Sequence, residues 1–259
     1  MDLGIDGKIA LVLGASRGLG FAIAKTLAAE GARVAINGRD ADRLQAALTD
    51  IKDVARHPDA CHALPADLAD RDTPAALHAQ VQDVLGAPDI LVNNGGGPPP
   101  GPVADVDRET WETHFSQMVA SLTDLSARVL PAMREKGWGR VLTVVSSGVV
   151  QPIPNLGISN ALRSGLVGWS KSLANEVAGD GVTVNCLAPG RIATERVDRL
   201  DQAAAAREGV EVGEIRRRSK ANIPMGRYGD PQEFADIAAF LVSQRASYMT
   251  GDVVRADGG

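Results

Sequence analysis

The stretch that decides the fold is residues 9–30, IALVLGASRGLGFAIAKTLAAE, where an apolar run meets a glycine-rich turn and then a helical pattern. Residues 9–13 are apolar without interruption, as in a parallel strand that is buried on both faces. After the turn, Leu19, Ile23 and Leu27 recur every four residues, as on one face of a helix. The stretch therefore predicts a strand, a sharp turn and a helix.

The turn itself predicts a pyrophosphate cradle. Glycine lets the backbone turn sharply and approach a ligand closely, and the N–H groups at a helix N-terminus attract phosphate. Taken alone, the motif is equally compatible with an ordinary strand-to-helix turn. The cofactor-binding residues predicted within it are Gly14, Ser16, Arg17, Gly18, Leu19 and Gly20.

Composition predicts a soluble cytoplasmic protein of one domain. A chain of 259 residues with 44% hydrophobic content is large enough to bury a single α/β core. Its net charge of -5 lacks the basic excess of a nucleic-acid-binding protein, and residues 216–218 are interpreted as a solvated basic helix face. No run is long enough to span a membrane, and residues 1–4 do not resemble a leader. Cys61 and Cys186 are expected to be buried free thiols, and no metal site is predicted.

Strand-like and helical segments alternate along the rest of the chain. The further strands are predicted at 33–37, 62–66, 89–93, 141–145, 182–186 and 253–254, and the further helices at 40–54, with Asp40 as N-cap, 70–85, 108–136 and 156–178. This alternation predicts one doubly wound domain over residues 1–259, with a seven-stranded parallel sheet and helices on both faces. Within it, residues 191–224 are expected to form a substrate lid, helical at 203–207 and 212–221.

Arginines near the predicted strand ends favour NADP over NAD, although NAD remains open. Ligands of such sheets bind at the carboxyl ends of the strands, and Arg39 follows the second strand. A guanidinium there would receive the 2′-phosphate of NADP, whereas a carboxylate such as Asp40 would accept hydrogen bonds from the ribose diol of NAD. Arg17 could reach the same phosphate. The alternative is that both arginines are solvated turn residues.

Five motifs spread over nearly the whole chain belong together. They are the glycine turn, Asp67-Leu68, Asn93-Asn94-Gly95-Gly96, Pro189-Gly190 with Thr194, and Asp257-Gly258-Gly259. With them the chain resembles the short-chain dehydrogenases/reductases of the group that contains β-ketoacyl-acyl-carrier-protein reductases. The resemblance implies a Rossmann fold in which Asp67 and Leu68 flank the adenine, Asn93 to Gly95 support the central strand and the cofactor ribose, and Thr194 touches the nicotinamide. It also implies a homo-tetramer or dimer.

The same resemblance places the family's four catalytic positions on residues that mostly differ from the family. The family Ser falls on Ser146, with Ser147 as second choice, the Tyr on Ser159, the Lys on Arg163 and the Asn on Met118. In the family the Tyr transfers the proton, while the Lys lowers its pKa and holds the ribose. A serine hydroxyl is a far weaker acid than a phenol, so Ser159 cannot inherit the role of the Tyr.

Three hypotheses about function follow. In the preferred one, an NADP(H)-dependent oxidoreductase acts on the carbonyl or hydroxyl group of a small molecule: Arg163 supplies the cationic field, Ser146 and Ser159 hold the substrate oxygen, and water delivers the proton. In the second, the chain is a catalytically inactive nucleotide-binding homologue with a regulatory or structural role. In the third and weakest, Arg163 clamps an anionic substrate for non-redox lyase or isomerase chemistry.

Four other side chains are of interest because of their position in the sequence. Arg191 could meet an acidic group of the substrate or form a structural salt bridge. His114 is expected one turn before Met118 on the same helix face, as a weak candidate for a replacement acid. The two tyrosines, Tyr228 and Tyr248, fall in stretches that the resemblance assigns to structure away from the hydride.

Overall fold

A parallel sheet of seven strands forms the centre of the computed structural model, which describes residues 2–259. The strands are β1 (Ile9–Val12), β2 (Arg33–Gly38), β3 (Cys61–Pro65), β4 (Ile90–Asn93), β5 (Gly139–Val144), β6 (Val182–Pro189) and β7 (Val253–Ala256). Their order is β3-β2-β1-β4-β5-β6-β7, and each neighbouring pair runs parallel. The predicted doubly wound sheet is confirmed, and its order reverses between β1 and β4, where ligands of such folds bind.

Helices cover both faces of the sheet. They are α1 (Gly18–Ala29), α2 (Ala41–Lys52), α3 (Thr73–Val84), α4 (Arg108–Phe115), α5 (Ser121–Glu135), α6 (Gly157–Val177), α7 (Glu195–Glu208), α8 (Val212–Ala221) and α9 (Pro231–Leu241). Alternate residues of β1 enter two separate cores: Ala10 packs with α1, α2 and α9, whereas Leu11 packs with α3, α5 and α6. This alternation is why β1 is apolar throughout.

Two helices differ from the sequence prediction. The helix predicted over 108–136 is continuous, but a π-helical turn over Ser116–Ala120 separates α4 from α5. The helix predicted over 203–207 is part of α7, which begins much earlier, at Glu195. The sequence does not reveal this start because α7 carries many charges and buries only Val197, Asp201 and Ala205, so its apolar periodicity is weak. Glu195 and Asp198 in its first turn complement the helix dipole.

The segment between β6 and α9 leaves the sheet and returns to the point where it left. Ala193 N donates to Gly229 O at 2.9 Å, and Gly229 N donates to Arg191 O at 2.9 Å. Between these pinned ends, α7 and α8 pack against each other. We call residues 191–229 the α7–α8 segment.

Two smaller sequence predictions, the cap of α2 and the two buried thiols, are confirmed. Asp40 Oδ1 accepts a hydrogen bond of 3.0 Å from Arg43 N and so caps α2. Cys61 and Cys186 are buried free thiols. No helix formed by residues 2–259 is both long and apolar enough to cross a membrane, and no group of three or more possible ligands among these residues could hold a metal ion.

Candidate active site

The glycine turn is fixed by its contact with the residue after β4. Asn94 Nδ2 donates to Leu13 O and to Gly14 O, both at 3.2 Å. A Cβ on Gly20 would lie 2.4 Å from Gly14 O, and a Cβ on Gly14 would lie 2.5 Å from Asn94 O. Both glycines are therefore required by packing. Asn94 lies between the predicted site residues Asn93 and Gly95, and its side chain, not theirs, makes the hydrogen bonds to the glycine turn.

The N-terminus of α1 is open toward the carboxyl edge of the sheet. Arg17 is its N-cap residue, in an extended conformation (φ -172, ψ 175), and its side chain makes no capping hydrogen bond. The N–H groups of the first turn therefore have no side-chain acceptor. Gly18 has φ +58, and a Cβ there would meet only Thr194, at 3.8 Å. This arrangement fits the pyrophosphate of a dinucleotide, which such helix ends bind.

Three arginines lie near this turn, and one carboxylate joins two of them. Arg17 Nη1 donates to Glu195 Oε2, and Arg43 Nη1 lies 3.8 Å from the same oxygen. Arg39 is exposed and makes no hydrogen bond or ion pair with residues 2–259. The sequence reasoning missed Arg43, although its position one turn after Arg39 could have revealed it. Glu195 therefore lies where the arginines would otherwise face a phosphate.

The loop after β3 and the end of β4 are held by buried hydroxyls. Thr73 Oγ1 donates to Asp67 O at 2.7 Å, and Ser121 Oγ donates to Leu68 O at 2.7 Å. Asn93 is fully buried, and its Nδ2 donates to Ser126 Oγ at 3.0 Å. Asn93 thus anchors its own strand to α5.

The predicted Pro189-Gly190 motif contacts the C-terminal Asp257-Gly258-Gly259 motif. Gly190 N donates to Ala256 O at 3.0 Å, and a Cβ on Gly190 would lie only 2.6 Å from Asp257 Cα. A side chain at position 190 would push the two segments apart. Thr194 follows as the residue before α7 and faces Gly18 of the glycine turn.

Ser159 and Arg163 meet at the carboxyl end of β5. Ser159 is buried on α6, and its Oγ accepts a hydrogen bond of 3.3 Å from Arg163 Nε. Arg163 Nη1 donates to Val144 O at 2.8 Å. Just after β5, Ser146 Oγ accepts from Gly148 N at 3.0 Å. The structure therefore brings the three predicted catalytic residues to the same strand end.

A second cation, Arg196 on α7, reaches the same edge and was missed from the sequence. Its Nη2 donates to Pro98 O at 2.8 Å, on the loop after β4. Burial and the positive charge of Arg196 lower the pKa of Arg163 to about 10. Burial and Arg199 also lower the pKa of Arg196. Both groups stay protonated at neutral pH, so the site carries two adjacent positive charges. The position of Arg196, two residues after Thr194, was the available signal.

Met118, which the resemblance places at the position of the family Asn, makes apolar contacts. It is buried in the π-helical turn and forms an apolar cluster with Ile158 and Leu162 of α6. His114 is half-buried near the end of α4, four residues before Met118. That the two side chains share a helix face stays a prediction, since a π-helical turn lies between them.

Both tyrosines lie away from Ser159 and Arg163. Tyr228 Oη donates to Asp201 Oδ2 at 2.8 Å. Tyr248 is fully exposed beside a cavity of about 450 Å³ that includes Arg140 and lies at the opposite, amino-terminal edge of β5 and β6. No phenol therefore reaches the position of the family Tyr.

Arg191 forms a structural ion pair. Its Nη1 donates to Asp201 Oδ1, and the Asp201 side chain has 0% exposure. Arg216 of α8 adds its charge at 3.8 Å from Asp201 Oδ2. The remaining arginines of the basic triplet are exposed and pair with Glu214, as expected of a solvated helix face.

Comparison with known proteins agrees with this geometry. A family model described as Enoyl-(Acyl carrier protein) reductase matches residues 14–259. The 3-oxoacyl-[acyl-carrier-protein] reductase FabG of Escherichia coli (strain K12) is 37% identical over 259 aligned residues, covering 99% of this chain and 98% of that protein. The chain belongs to the short-chain dehydrogenase/reductase family.

Other members of the short-chain dehydrogenase/reductase family match over a similar length. The NADPH-dependent reductase BacG of Bacillus subtilis (strain 168) is 32% identical over 253 residues, covering 97% of each chain. The crystal structure of L-sorbose reductase from Gluconobacter frateurii, complexed with NADPH and L-sorbose, superposes with a TM-score of 0.92 at 32% identity, covering 100% of this chain and 98% of that one. Within this family, Ser159 and Arg163 occupy the positions that the resemblance assigns to Tyr and Lys.

Proposed function

We propose that this short-chain dehydrogenase/reductase is an NADP(H)-dependent oxidoreductase that acts on a carbonyl or hydroxyl group through a non-standard active site. The observation that carries the proposal is the uncapped N-terminus of α1, flanked by Arg17 and Arg43 at the carboxyl edge of the sheet. An anionic dinucleotide with a third phosphate complements that cluster. Relatives whose names include NADPH dependence, at about a third identity over the whole chain, support the same cofactor.

The residues that we assign to the cofactor follow the strand ends. They are Gly14, Ser16, Arg17, Gly18, Leu19, Gly20 and Arg39 around β1 and β2, Asp67, Leu68, Asn93 and Gly95 after β3 and β4, and Arg163, Pro189, Gly190 and Thr194 on the nicotinamide side. To these we add Arg43, on its position beside Arg17 and Glu195, and Asn94, on its hydrogen bonds to the glycine turn. A bound nicotinamide dinucleotide supplies or accepts the hydride.

The chain's own groups can hold a substrate oxygen and stabilise charge on it. Ser159 Oγ accepts from Arg163 and Ser146 Oγ accepts from Gly148 N, so both hydroxyl protons are available to a carbonyl oxygen. The adjacent guanidinium of Arg163 stabilises the negative charge that develops there during reduction. Because neither serine is acidic enough to give up its proton, water completes the alcohol.

One observation favours a second candidate, a cofactor-binding protein without catalytic activity. Met118 replaces the polar anchor of the family with an apolar cluster, so no side chain at this position can hold a water for proton transfer. Such a protein would bind NADPH and leave every substrate unchanged.

A two-stage experiment separates these candidates. NADPH and NADH are titrated against the protein by fluorescence, and NADPH oxidation is then followed with a panel of aldehydes, ketones, 2-oxo acids and 3-oxo thioesters. We expect tighter binding of NADPH than of NADH, and turnover that falls in the Ser146→Ala and Ser159→Ala variants. Binding without turnover across the panel would favour the inactive homologue, and failure to bind either nucleotide would rule out both.

We also propose that the chain acts as one domain and forms a homo-tetramer or dimer in which residues 191–224 cover the substrate. On α6, Gly165 and Gly168 leave open space where a Cβ would stand, which permits close approach of a second helix. Light scattering measures the oligomeric state directly. A monomer at micromolar concentration would contradict the proposed assembly.

A further inference from the structure

We propose that Arg163 and Arg196 together form a binding site for an anionic oxygen group, a carboxylate or a phosphate, of the substrate. The proposal deepens the proposed function, since it names the substrate class that the same site accepts. It predicts an oxo acid or a phosphorylated carbonyl compound in preference to a neutral ketone or thioester.

The two guanidiniums come from separate elements and meet at one edge of the sheet. Arg163 on α6 is fixed at the end of β5 by its bond to Val144 O, at 2.8 Å. Arg196 on α7 follows β6 and is fixed to the loop after β4 by its bond to Pro98 O, at 2.8 Å. Because β4, β5 and β6 are neighbours in the sheet, both charges flank the same short stretch of its carboxyl edge.

Within the part of the chain that the structure describes, neither guanidinium has a counter-ion. Among residues 2–259, no carboxylate oxygen lies within 4.0 Å of Arg163 or Arg196. Their protein partners are two carbonyl oxygens and the hydroxyl of Ser159, which leave several N–H donors of each group unused.

The other arginines of the α7–α8 segment, except Arg199, are paired. Ion pairs join Arg191 to Asp201, Arg207 to Glu208, Arg216 to Asp198, and Arg217 and Arg218 to Glu214. Arg196 is thus half-buried and unpaired in a segment where acidic partners are abundant. The only other unpaired arginine of α7, Arg199, is exposed one turn further along the helix.

Two like charges held together away from bulk water are unfavourable unless an anion joins them. Partial burial removes hydration from both groups, and their mutual repulsion adds to the cost. The lowered pKa of Arg163 reports both effects. A planar carboxylate or a phosphate matches the fork of donors on a guanidinium and neutralises the pair. Arg199 extends the positive field outward and would attract an anion from solution.

The test measures anion binding directly in the protein loaded with NADP⁺. Malonate and inorganic phosphate are titrated by calorimetry, with malonamide as the neutral match for malonate. We expect malonate or phosphate to bind with an affinity that falls as salt is added, and malonamide not to bind. Arg196→Gln should weaken that binding about 10- to 100-fold. Arg128→Gln, which removes the same charge from an exposed ion pair on α5, should leave it unchanged.

The outcomes separate this proposal from the proposed function. Equal binding of malonate to wild type and Arg196→Gln would overturn the anion site. So would a loss of NADP⁺ affinity in Arg196→Gln as large as the loss of malonate affinity, because the cofactor would then be the anion. Anion binding without NADPH oxidation by any 2-oxo or 3-oxo acid would instead leave the site standing and contradict the oxidoreductase. Comparison of malonate with phosphate identifies which anion the site prefers.

Discussion

Arg163 Nε donates a hydrogen bond of 3.3 Å to Ser159 Oγ, one helical turn earlier on α6. The pair that the resemblance places at the Tyr and Lys positions is therefore a hydroxyl oriented by a cation, and burial and Arg196 lower the pKa of this cation to about 10. We expect kcat/KM for carbonyl reduction to be constant between about pH 6 and pH 9 and to fall as the pH rises through about 10, where Arg163 loses its charge.

Substitution at Arg163 tests the origin of that alkaline fall. Arg163→Gln keeps a donor for Val144 O but removes the charge, and should lower kcat/KM by about 100-fold while abolishing the fall near pH 10. His114→Asn serves as the control and should leave the profile unchanged. A wild-type profile with a step near neutral pH that disappears in His114→Asn would show that a histidine supplies the proton.

Glu195 competes with the cofactor for two arginines. Its carboxylate pairs with Arg17 and lies 3.8 Å from Arg43, which are the groups that we assign to the 2′-phosphate. Glu195→Gln should tighten NADPH binding by about two- to fivefold, the range of an exposed ion pair, and leave NADH binding unchanged.

Glu208→Gln is the matched control, since it removes the same charge from the other end of α7, where Glu208 pairs with Arg218. Fluorescence titration of wild type and both variants with each nucleotide measures the six affinities. An equal gain for NADH and NADPH in Glu195→Gln would mean that Glu195 does not oppose the extra phosphate.

We expect Met118 to contribute to the stability of the fold and not to catalysis. Because its side chain is buried against Ile158 and Leu162, Met118→Asn places an amide in an apolar cluster and should lower the free energy of unfolding by about 2–4 kcal/mol. Met118→Leu conserves the volume and should cost less than about 1.5 kcal/mol. Urea denaturation measures both. A Met118→Asn variant that is as stable as Met118→Leu and gains reductase activity would show instead that the position still accepts the polar anchor of the family.

Gly20 has no room for a side chain. A methyl group there would lie 2.4 Å from Gly14 O and 2.6 Å from Asn94 Nδ2, so Gly20→Ala must displace the turn. We expect a loss of about 1–3 kcal/mol in unfolding free energy, together with weaker NADPH binding. Gly213→Ala on α8, which meets nothing within 4 Å, should be neutral or stabilising by up to about 1 kcal/mol. Thermal unfolding with and without NADPH compares them, and unchanged nucleotide affinity in Gly20→Ala would contradict the role of the turn.

The elements that sequence predicts best are those with strong periodicity. The apolar run of β1 and the regular spacing of Leu19, Ile23 and Leu27 locate the first strand and helix to within a few residues. Ser159 and Arg163 could be placed from the sequence because the resemblance fixes their register on α6, and the structure brings them into contact.

Features that depend on tertiary contacts could not be predicted in this way. The π-helical turn around Met118 has no periodic signature, and α7 buries too few apolar residues to reveal where it starts. The position of Arg196 close to Thr194 does not show that its side chain reaches the loop after β4, because that contact is tertiary. By contrast, α9 was overlooked although Asp230-Pro231 and Glu233 form a capping box that the sequence displays.

Because the buried Asp201 finds all its partners within the α7–α8 segment, the segment can be exchanged as a whole. Its three partners, Arg191, Arg216 and Tyr228, all lie within residues 191–229, and the two ends of the segment are hydrogen-bonded to each other. A chimera that exchanges this whole segment with that of a relative keeps both halves of each Asp201 contact together. One that ends before Tyr228 leaves a buried carboxylate short of a hydrogen bond. Recombination at residues 191 and 229 is thus a natural way to give this Rossmann scaffold a different substrate.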